Sequence, residues 1–234
     1  LDQQSRASAP LRLAAAFALA RLRTASLRGE DRAALVDWAQ AEPRAEAQAY
    51  LVRALGSLDA GDDLSAALAV VSADPDVGVR VAAARAAGQT EWHGVTGLLN
   101  DSDPGVRREA MAAIGRIDGL DRGGLLRPIV RAGGDLAAAE DARTVGHPRL
   151  LDAVAALSAL TAAGEIIAPE RFTASNRPTA IRVAAIEAVQ APADLEALAA
   201  KDGEIQVRTA AAGALLAHED VDGATAVRLL EAFD

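Results

Sequence analysis

The sequence contains no cysteine and very few aromatic residues. Among its 234 residues, Phe, Trp and Tyr together make up 3%. The absence of Cys excludes disulfide bridges, thiolate metal sites and cysteine nucleophiles. Because large side chains are scarce, stability has to come from many close contacts between helices. No apolar run approaches the roughly 20 residues that a membrane helix needs, so we expect no membrane association.

Lysine is also nearly missing, since Lys201 stands beside 23 arginines. We interpret this bias as the coding preference of a GC-rich bacterium. The net charge is −9, but it is uneven, with +2 over residues 1–56 and −11 over the remainder. A strongly acidic body repels phosphate backbones, so we do not expect nucleic acid as a partner.

The sequence does contain a repeated motif. In its two clearest copies, at 74–88 and 103–115, an Asp-Pro turn precedes a hydrophobic residue and an Arg, and small residues stand three and six positions after the Arg. Seven copies align on the Arg position, which we call the slot. The slot residues are Arg12, Gln48, Arg80, Arg107, Asp152, Arg182 and Arg208. They are on average about 33 residues apart, the period of a two-helix repeat.

The residue types of the motif have a physical reason. An acid before Pro favours a helix start, because the carboxylate caps free N–H groups and Pro fits the first turn. Positions −1, +3 and +6 from the slot lie within about 60° of one another on a helix. Ala on this stripe lets a neighbouring helix approach closely. The slot Arg stands at the edge of the stripe, and we expect it to reach the Asp-Pro turn of an adjacent repeat as one step of an Arg–Asp ladder.

The motif resembles the HEAT repeat family, in particular the short bacterial HEAT-like repeats that also occur in phycobilisome lyases. The resemblance covers residues 9–217 and is weakest at 42–56 and 148–160. It implies that each repeat is a pair of antiparallel helices, A then B, and that the motif opens helix B. The implied fold class is all-α, a right-handed α-solenoid of about six to seven two-helix repeats, with 1–234 as a single domain.

Regular and irregular regions alternate along the chain. We expect a B-like helix at 10–23 and a helix at 149–163. The expected helix pairs are 31–41 with 43–57, 62–72 with 76–88, and 91–100 with 104–117, and the last repeats are expected at 178–190, 192–201 and 204–217.

Two stretches, 118–148 and 164–178, lack clear periodicity and are predicted to be irregular insertions. Gly and Pro residues in the first stretch, at 123, 124, 128, 133 and 134, are expected to interrupt helices. A short extra helix is predicted over 135–145, and a final amphipathic helix over 221–233. Long insertions in a regular array are often functional, which makes both stretches candidate binding sites.

No constellation of residues indicates catalysis or metal binding. The three histidines, His93, His147 and His218, have no His partner at i+4, so we expect no metal site. The run 220–223 (Asp-Val-Asp-Gly) lacks the third ligand position of a calcium loop, and a helix-capping turn is expected there. Because phosphate-loop and nucleophile motifs are missing from the sequence, no catalytic residue and no cofactor are predicted.

The remaining candidate is the face of the B helices opposite the Ala stripe, at positions +1 and +5 from each slot. Position +1 holds Leu13, Ala49, Val81, Arg108, Ala153, Val183 and Thr209; position +5 holds Phe17, Arg53, Arg85, Ala112, Leu157, Glu187 and Gly213. The HEAT resemblance implies that this face lines the concave groove. Exposed apolar residues rimmed by charge suit a protein partner, whereas the alternative is a solvated, tolerant face. Arg53, Arg85, Arg108 and Glu187 are the predicted partner contacts.

These observations lead to three functional hypotheses. The first is a non-enzymatic scaffold or adaptor that holds a partner protein or peptide in the groove. The second is an accessory HEAT domain of a larger enzyme, for example a cyclophilin-type peptidyl-prolyl isomerase, since the chain begins at Leu1 without Met and we expect a fragment or a processed product. The third is a lyase-type HEAT-like enzyme. We expect a soluble protein, and a cytoplasmic location is favoured over export after removal of a signal peptide.

Overall fold

The chain is helical throughout the part that the structure describes. This computed structural model describes residues 8–22, 27, 29–135, 147–165, 169–174, 177–218, 224–225 and 227–228. Within these residues there are twelve α-helices, one 3-10 helix and no β-strand. None of the helices described there is both long and apolar enough to cross a membrane. Two compact units are present, Leu1–Asp121 and Arg122–Asp234.

The first unit is built from two rows of helices. Its elements are, in chain order, α1 (Ala9–Arg21), α2 (Gly29–Ala41), α3 (Ala45–Leu55), α4 (Asp62–Val71), α5 (Val77–Thr90), a 3-10 helix (His93–Asn100) and α6 (Pro104–Arg116). The row of B helices runs α1, α3, α5, α6, and each contacts the next. On the other side, α2 contacts α3 and α4, and the 3-10 helix contacts α5 and α6. This packing is consistent with a helical repeat, and an all-helical fold is confirmed for the described residues.

The second unit also pairs each of its B helices with a preceding helix. Its helices are α7 (Arg122–Asp135), α8 (Pro148–Ala162), α9 (Glu170–Thr173), α10 (Thr179–Ile186), α11 (Pro192–Lys201) and α12 (Ile205–Leu216). The B helices α8, α10 and α12 contact one another in sequence, while α7, α9 and α11 pack on α8, α10 and α12 respectively. All seven slots therefore fall in or directly beside the B row of their own unit.

Helix α7 corrects one expectation, because it runs through the Gly and Pro residues that were predicted to interrupt it. Gly123, Leu126, Val130 and Gly133 are buried and recur with helical period. A Cβ at Gly133 would lie against Ala153, so glycine is what permits close packing of α7 on α8. The extra helix expected over 135–145 lies outside the described residues except for its first position, as does most of the final helix expected over 221–233.

The helix starts follow the predicted capping in part. Asp103 caps α6 by accepting the N–H groups of Gly105 and Val106, at 2.7 and 3.1 Å, and Pro104 occupies the first turn. In the other clear copy the cap is Asp76, the residue after the Pro, which accepts from Val79. The acid before the Pro is thereby released for another contact.

Three slot arginines link consecutive repeats through an acid that stands six positions before the next slot. The pairs are Arg12 with Glu42 at 3.8 Å, Arg80 with Asp101 at 2.7 Å, and Arg182 with Asp202. The same three acids, and Asp74 at the equivalent position, each accept the backbone N–H two residues further on. An Arg–acid ladder is therefore present at these three steps. The expected Arg–Asp pairing occurs at two of them, and Glu42 takes the place of Asp at the first.

Arg80 shows how one ladder step works. Its Nη1 donates to the backbone oxygens of Asp74 and Pro75 in its own turn, while Nε and Nη2 donate to the Asp101 carboxylate in the next. The hydrogen bonds from Arg80 are the main cause that holds the pKa of Asp101 below its usual value. The step thus fixes the spacing of α5 and α6, and with it the side chains on their outer face.

Small residues set the distance between neighbouring B helices. A Cβ at Gly88 of α5 would lie 2.9 Å from the Cα of Ala113 in α6. A Cβ at Gly56, at the end of α3, would lie 3.2 Å from the Cα of Ala86 in α5. Both glycines stand eight positions after their slot, and both alanines six positions after theirs, so the Ala stripe is the surface on which the preceding helix packs.

Candidate functional site

The outer surface of the B helices in the first unit carries most of that unit's candidate contact residues. The charged and aromatic residues of this surface stand at positions −2, +1, +2, +5 and +9 from a slot. We call this set the B face: Phe17, Arg21, Glu46, Tyr50, Arg53, Arg85, Arg108, Glu109 and Arg116. Every member is exposed or partly exposed, and the ladder uses none of their side chains.

The B face is positively charged in a protein of net charge −9. Arginine occupies five of its positions, and two are occupied by glutamate. One glutamate is already engaged, because Glu109 pairs with Arg85 at 3.0 Å. The face therefore differs in sign from the protein as a whole, which favours an anionic group in whatever binds there.

Two aromatic rings and two arginines form a compact cluster at one end of this face. The centroids of Phe17 and Tyr50 are 5.3 Å apart at an interplanar angle of 88°, an edge-to-face contact. The guanidinium of Arg21 lies 5.6 Å from the Phe17 ring centre, and that of Arg53 lies 5.3 Å from the Tyr50 ring centre. Both distances are within the range of cation–π attraction. We call these four residues the aromatic–arginine cluster.

The packing of α1 on α3 positions the cluster. Phe17 and Arg21 are one turn apart on α1, and Tyr50 and Arg53 are one turn apart on α3. Tyr50 packs against the buried core of the unit, whereas 45% of Phe17 is exposed. Since the chain has only six aromatic residues, an exposed ring held by a second one is unusual here.

The predicted contact residues lie in different surroundings. Arg53 belongs to the aromatic–arginine cluster, Arg85 is held by Glu109, and Arg108 is partly exposed on α6. These three arginines lie on α3, α5 and α6, which are neighbours in the row of B helices. Glu187, exposed at the end of α10, belongs to the second unit.

Sequence reasoning missed Arg21 and Tyr50. It considered only positions +1 and +5, while Tyr50 stands at +2 and Arg21 at +9. These positions lie within about 60° of +5 on a helix, so a wider window around the same face would have found them.

In the second unit, part of the expected outer face is covered. Ala153 and Leu157 of α8, at positions +1 and +5, are fully buried, so their expected exposure is wrong. Helix α7 packs there, as the contact between Gly133 and Ala153 shows. The physical reason is the helical period through 123–133, which creates an apolar stripe that has to be buried.

A cavity of about 640 Å³ lies in the second unit between α9, α10 and α11. Arg182, which is 3% exposed, stands in its wall. Burial lowers the pKa of Arg182, and its Nε donates to the backbone oxygen of Thr173 at 3.1 Å. Its other contact is the ladder acid Asp202, so this arginine serves the packing of the repeats. Part of the irregular stretch 164–178 borders the cavity.

The described residues contain no group of three or more His, Asp or Glu side chains placed to hold a metal ion. His147 precedes α8 without capping it, and His93 opens the 3-10 helix. The ring Nε2 of His218 lies 3.2 Å from the backbone oxygen of Gln190. The run 220–223, where a capping turn was expected, lies outside the described residues.

Comparison with known proteins adds no family to this description. The chain is matched by no family model and by no curated protein. The HEAT resemblance therefore rests on the repeated motif.

Proposed function

We propose that the protein is a non-enzymatic scaffold or adaptor that binds a partner protein or peptide on the B face. In this proposal the two rows of helices belong to a right-handed HEAT-like α-solenoid, and the B face lines its concave side. The protein would act by complementarity of shape and charge, without a chemical step.

The aromatic–arginine cluster is the observation that carries this proposal. Tyr and Arg are enriched among the residues that contribute most to protein–protein binding, and a partly exposed aromatic pair is a ready anchor for a partner side chain. The contacts of the cluster do not belong to the ladder or to the Ala stripe. Its residues are therefore available for a role other than stacking the repeats.

Site-specific photo-crosslinking tests the proposal. We would place p-benzoylphenylalanine at Gln89 or Ala112, beside the B face, and irradiate the protein in cells of its source organism. Matched controls carry the same group at Ala66 or Val70, which are exposed on α4 in the opposite row. All four positions leave the ladder and the aromatic–arginine cluster intact.

The proposal predicts a discrete crosslinked protein at positions 89 and 112 and its absence at positions 66 and 70. Equal crosslinking from both rows would contradict the assignment of the B face. The lack of any specific crosslink from positions 89 and 112 would contradict the scaffold function itself.

A further inference from the structure

We infer that the segment bound by the aromatic–arginine cluster is an acidic peptide segment of a partner protein, with a carboxylate beside an apolar side chain. This inference rests on the proposed function and specifies the chemistry of its partner. Four residues carry it: Phe17, Arg21, Tyr50 and Arg53.

The first argument concerns the two arginines. Within the described residues, neither Arg21 nor Arg53 forms an ion pair, although the chain has more acidic than basic residues. Each guanidinium instead lies over a ring, with no carboxylate of the described part of the chain paired to it. The acid nearest in sequence on this face, Glu46, stands one turn before Tyr50.

The second argument concerns how these two arginines can bind. A guanidinium carries five N–H donors in a fixed fork, and a cation–π contact with a ring uses none of them as a hydrogen bond. The ring also restricts the rotamers of the long side chain. A carboxylate can accept two parallel hydrogen bonds from the edge of a guanidinium. The ring contacts thus preorganise Arg21 and Arg53 for carboxylates.

The third argument concerns the apolar part of the ligand. Phe17 is 45% exposed and adjoins Tyr50, so an apolar side chain that covers it would remove its ring from water. An acidic segment without an apolar residue would leave this surface uncovered. The expected segment therefore combines Asp or Glu with Leu, Ile or an aromatic residue.

A nucleic acid fits the cluster less well. Single-stranded nucleic acids bind by stacking bases on open ring faces. Here a guanidinium covers one face of each ring, and the edge-to-face contact occupies a further face. The net charge of −9 also opposes a long phosphate backbone.

Selection from a random library tests the inference without a known partner. We would pan phage-displayed random 12-residue peptides on the immobilised full chain, then measure Kd for fluorescein-labelled copies of the enriched sequences by anisotropy. The expected sequences are enriched in Asp and Glu next to apolar residues. Their binding should weaken as NaCl is raised, because the contacts are partly exposed ion pairs.

Three variants give the test its specificity. Arg53→Glu should weaken binding of the enriched peptides at least tenfold, while Arg44→Glu, the same charge change on an exposed residue off the B face, should leave Kd unchanged. Glu46→Gln should tighten binding by about twofold, because it removes a like charge from the edge of the site. This last variant keeps the inference testable if Arg53→Glu fails to fold.

The other outcomes overturn the inference. Selection could instead enrich neutral or basic peptides whose binding is abolished by Tyr50→Ala. That result would contradict an acidic partner but would not contradict the scaffold function. A fluorescein-labelled, single-stranded DNA of 20 nucleotides is the second probe. If this DNA bound and the peptides did not, and if its binding required Arg53, the cluster would be a nucleic-acid site. A selection that enriches no peptide would contradict the inference. The scaffold function is tested separately, by crosslinking from positions 89 and 112.

Discussion

At the scale of single residues, two groups of arginines in this protein have different contacts. Those in the slot, such as Arg80 and Arg182, are partly or fully buried and bind acids and carbonyl groups of the turns. On the B face, Arg21 and Arg53 are exposed and each lies over a ring, while Arg85 pairs with Glu109. The first group defines the repeated motif, and the second does not belong to it. Sequence repetition thus marks the residues that stack the helices.

Arg80→Gln should destabilise the protein by about 2 kcal/mol. The substitution leaves the Asp101 carboxylate, whose side chain is 9% exposed, without its charged donor. Urea unfolding followed by circular dichroism measures the change. Arg44→Gln, on an exposed side chain, is the control and should stay within about 0.5 kcal/mol of the parent. Equal losses of unfolding free energy in both variants would show that the ladder contact of Arg80 adds no stability beyond that of an exposed arginine.

The same pair should produce a defined pH dependence. The pKa of Asp101 in the folded protein lies below its ordinary value of 3.8, chiefly because Arg80 donates to it. A depressed carboxyl pKa stabilises the folded state above the unfolded value, and this contribution disappears as the pH falls through the folded value. The stability difference between the parent and Asp101→Asn should therefore be constant above about pH 5 and narrow below about pH 4. A difference that stays constant down to pH 2 would contradict this role.

At the scale of helices, close packing depends on residues without bulk. Gly88→Val should destabilise the protein by about 1–3 kcal/mol, because the new Cβ would lie 2.9 Å from the backbone of Ala113. Gly213→Ala in α12 is the matched control, since a Cβ there meets no atom within 4 Å. It should be neutral or stabilise by up to about 1 kcal/mol. Thermal unfolding of the two variants measures the contrast, and destabilisation by both would argue against specific helix contact at Gly88.

The sequence allowed most helices to be predicted, because capping acids and apolar period act locally. The expected segment 62–72 is observed as Asp62–Val71, and 104–117 as Pro104–Arg116. Helix α7 was missed because the helix-breaking tendency of Gly133 and Pro128 is a local rule, whereas the packing against Ala153 that rewards glycine is tertiary. The aromatic–arginine cluster was only partly predicted, since the contact between Phe17 and Tyr50 joins different helices.

At the scale of the whole molecule, the two compact units make a separate prediction. The buried hydrophobic cluster from Ala16 to Ala86 consists of residues of the first unit alone. A fragment of residues 1–121 should therefore fold alone, because stability in stacked repeats is carried by neighbouring contacts. Its helical circular dichroism should disappear in one cooperative urea transition. A gradual, non-cooperative loss of signal would show that the unit needs the rest of the chain.

The central claim is that the stacking of the repeats and the binding of a partner depend on different arginines. It is tested most directly by the Kd of a library-selected peptide, measured below the unfolding temperature in Arg53→Glu and Arg80→Gln. The account predicts that Arg53→Glu raises Kd at least tenfold with an unchanged unfolding temperature. It predicts that Arg80→Gln lowers the unfolding temperature, while the Kd of the folded variant stays within about twofold of the parent's Kd. An unchanged Kd in Arg53→Glu, together with a selective loss of binding in Arg80→Gln, would contradict it.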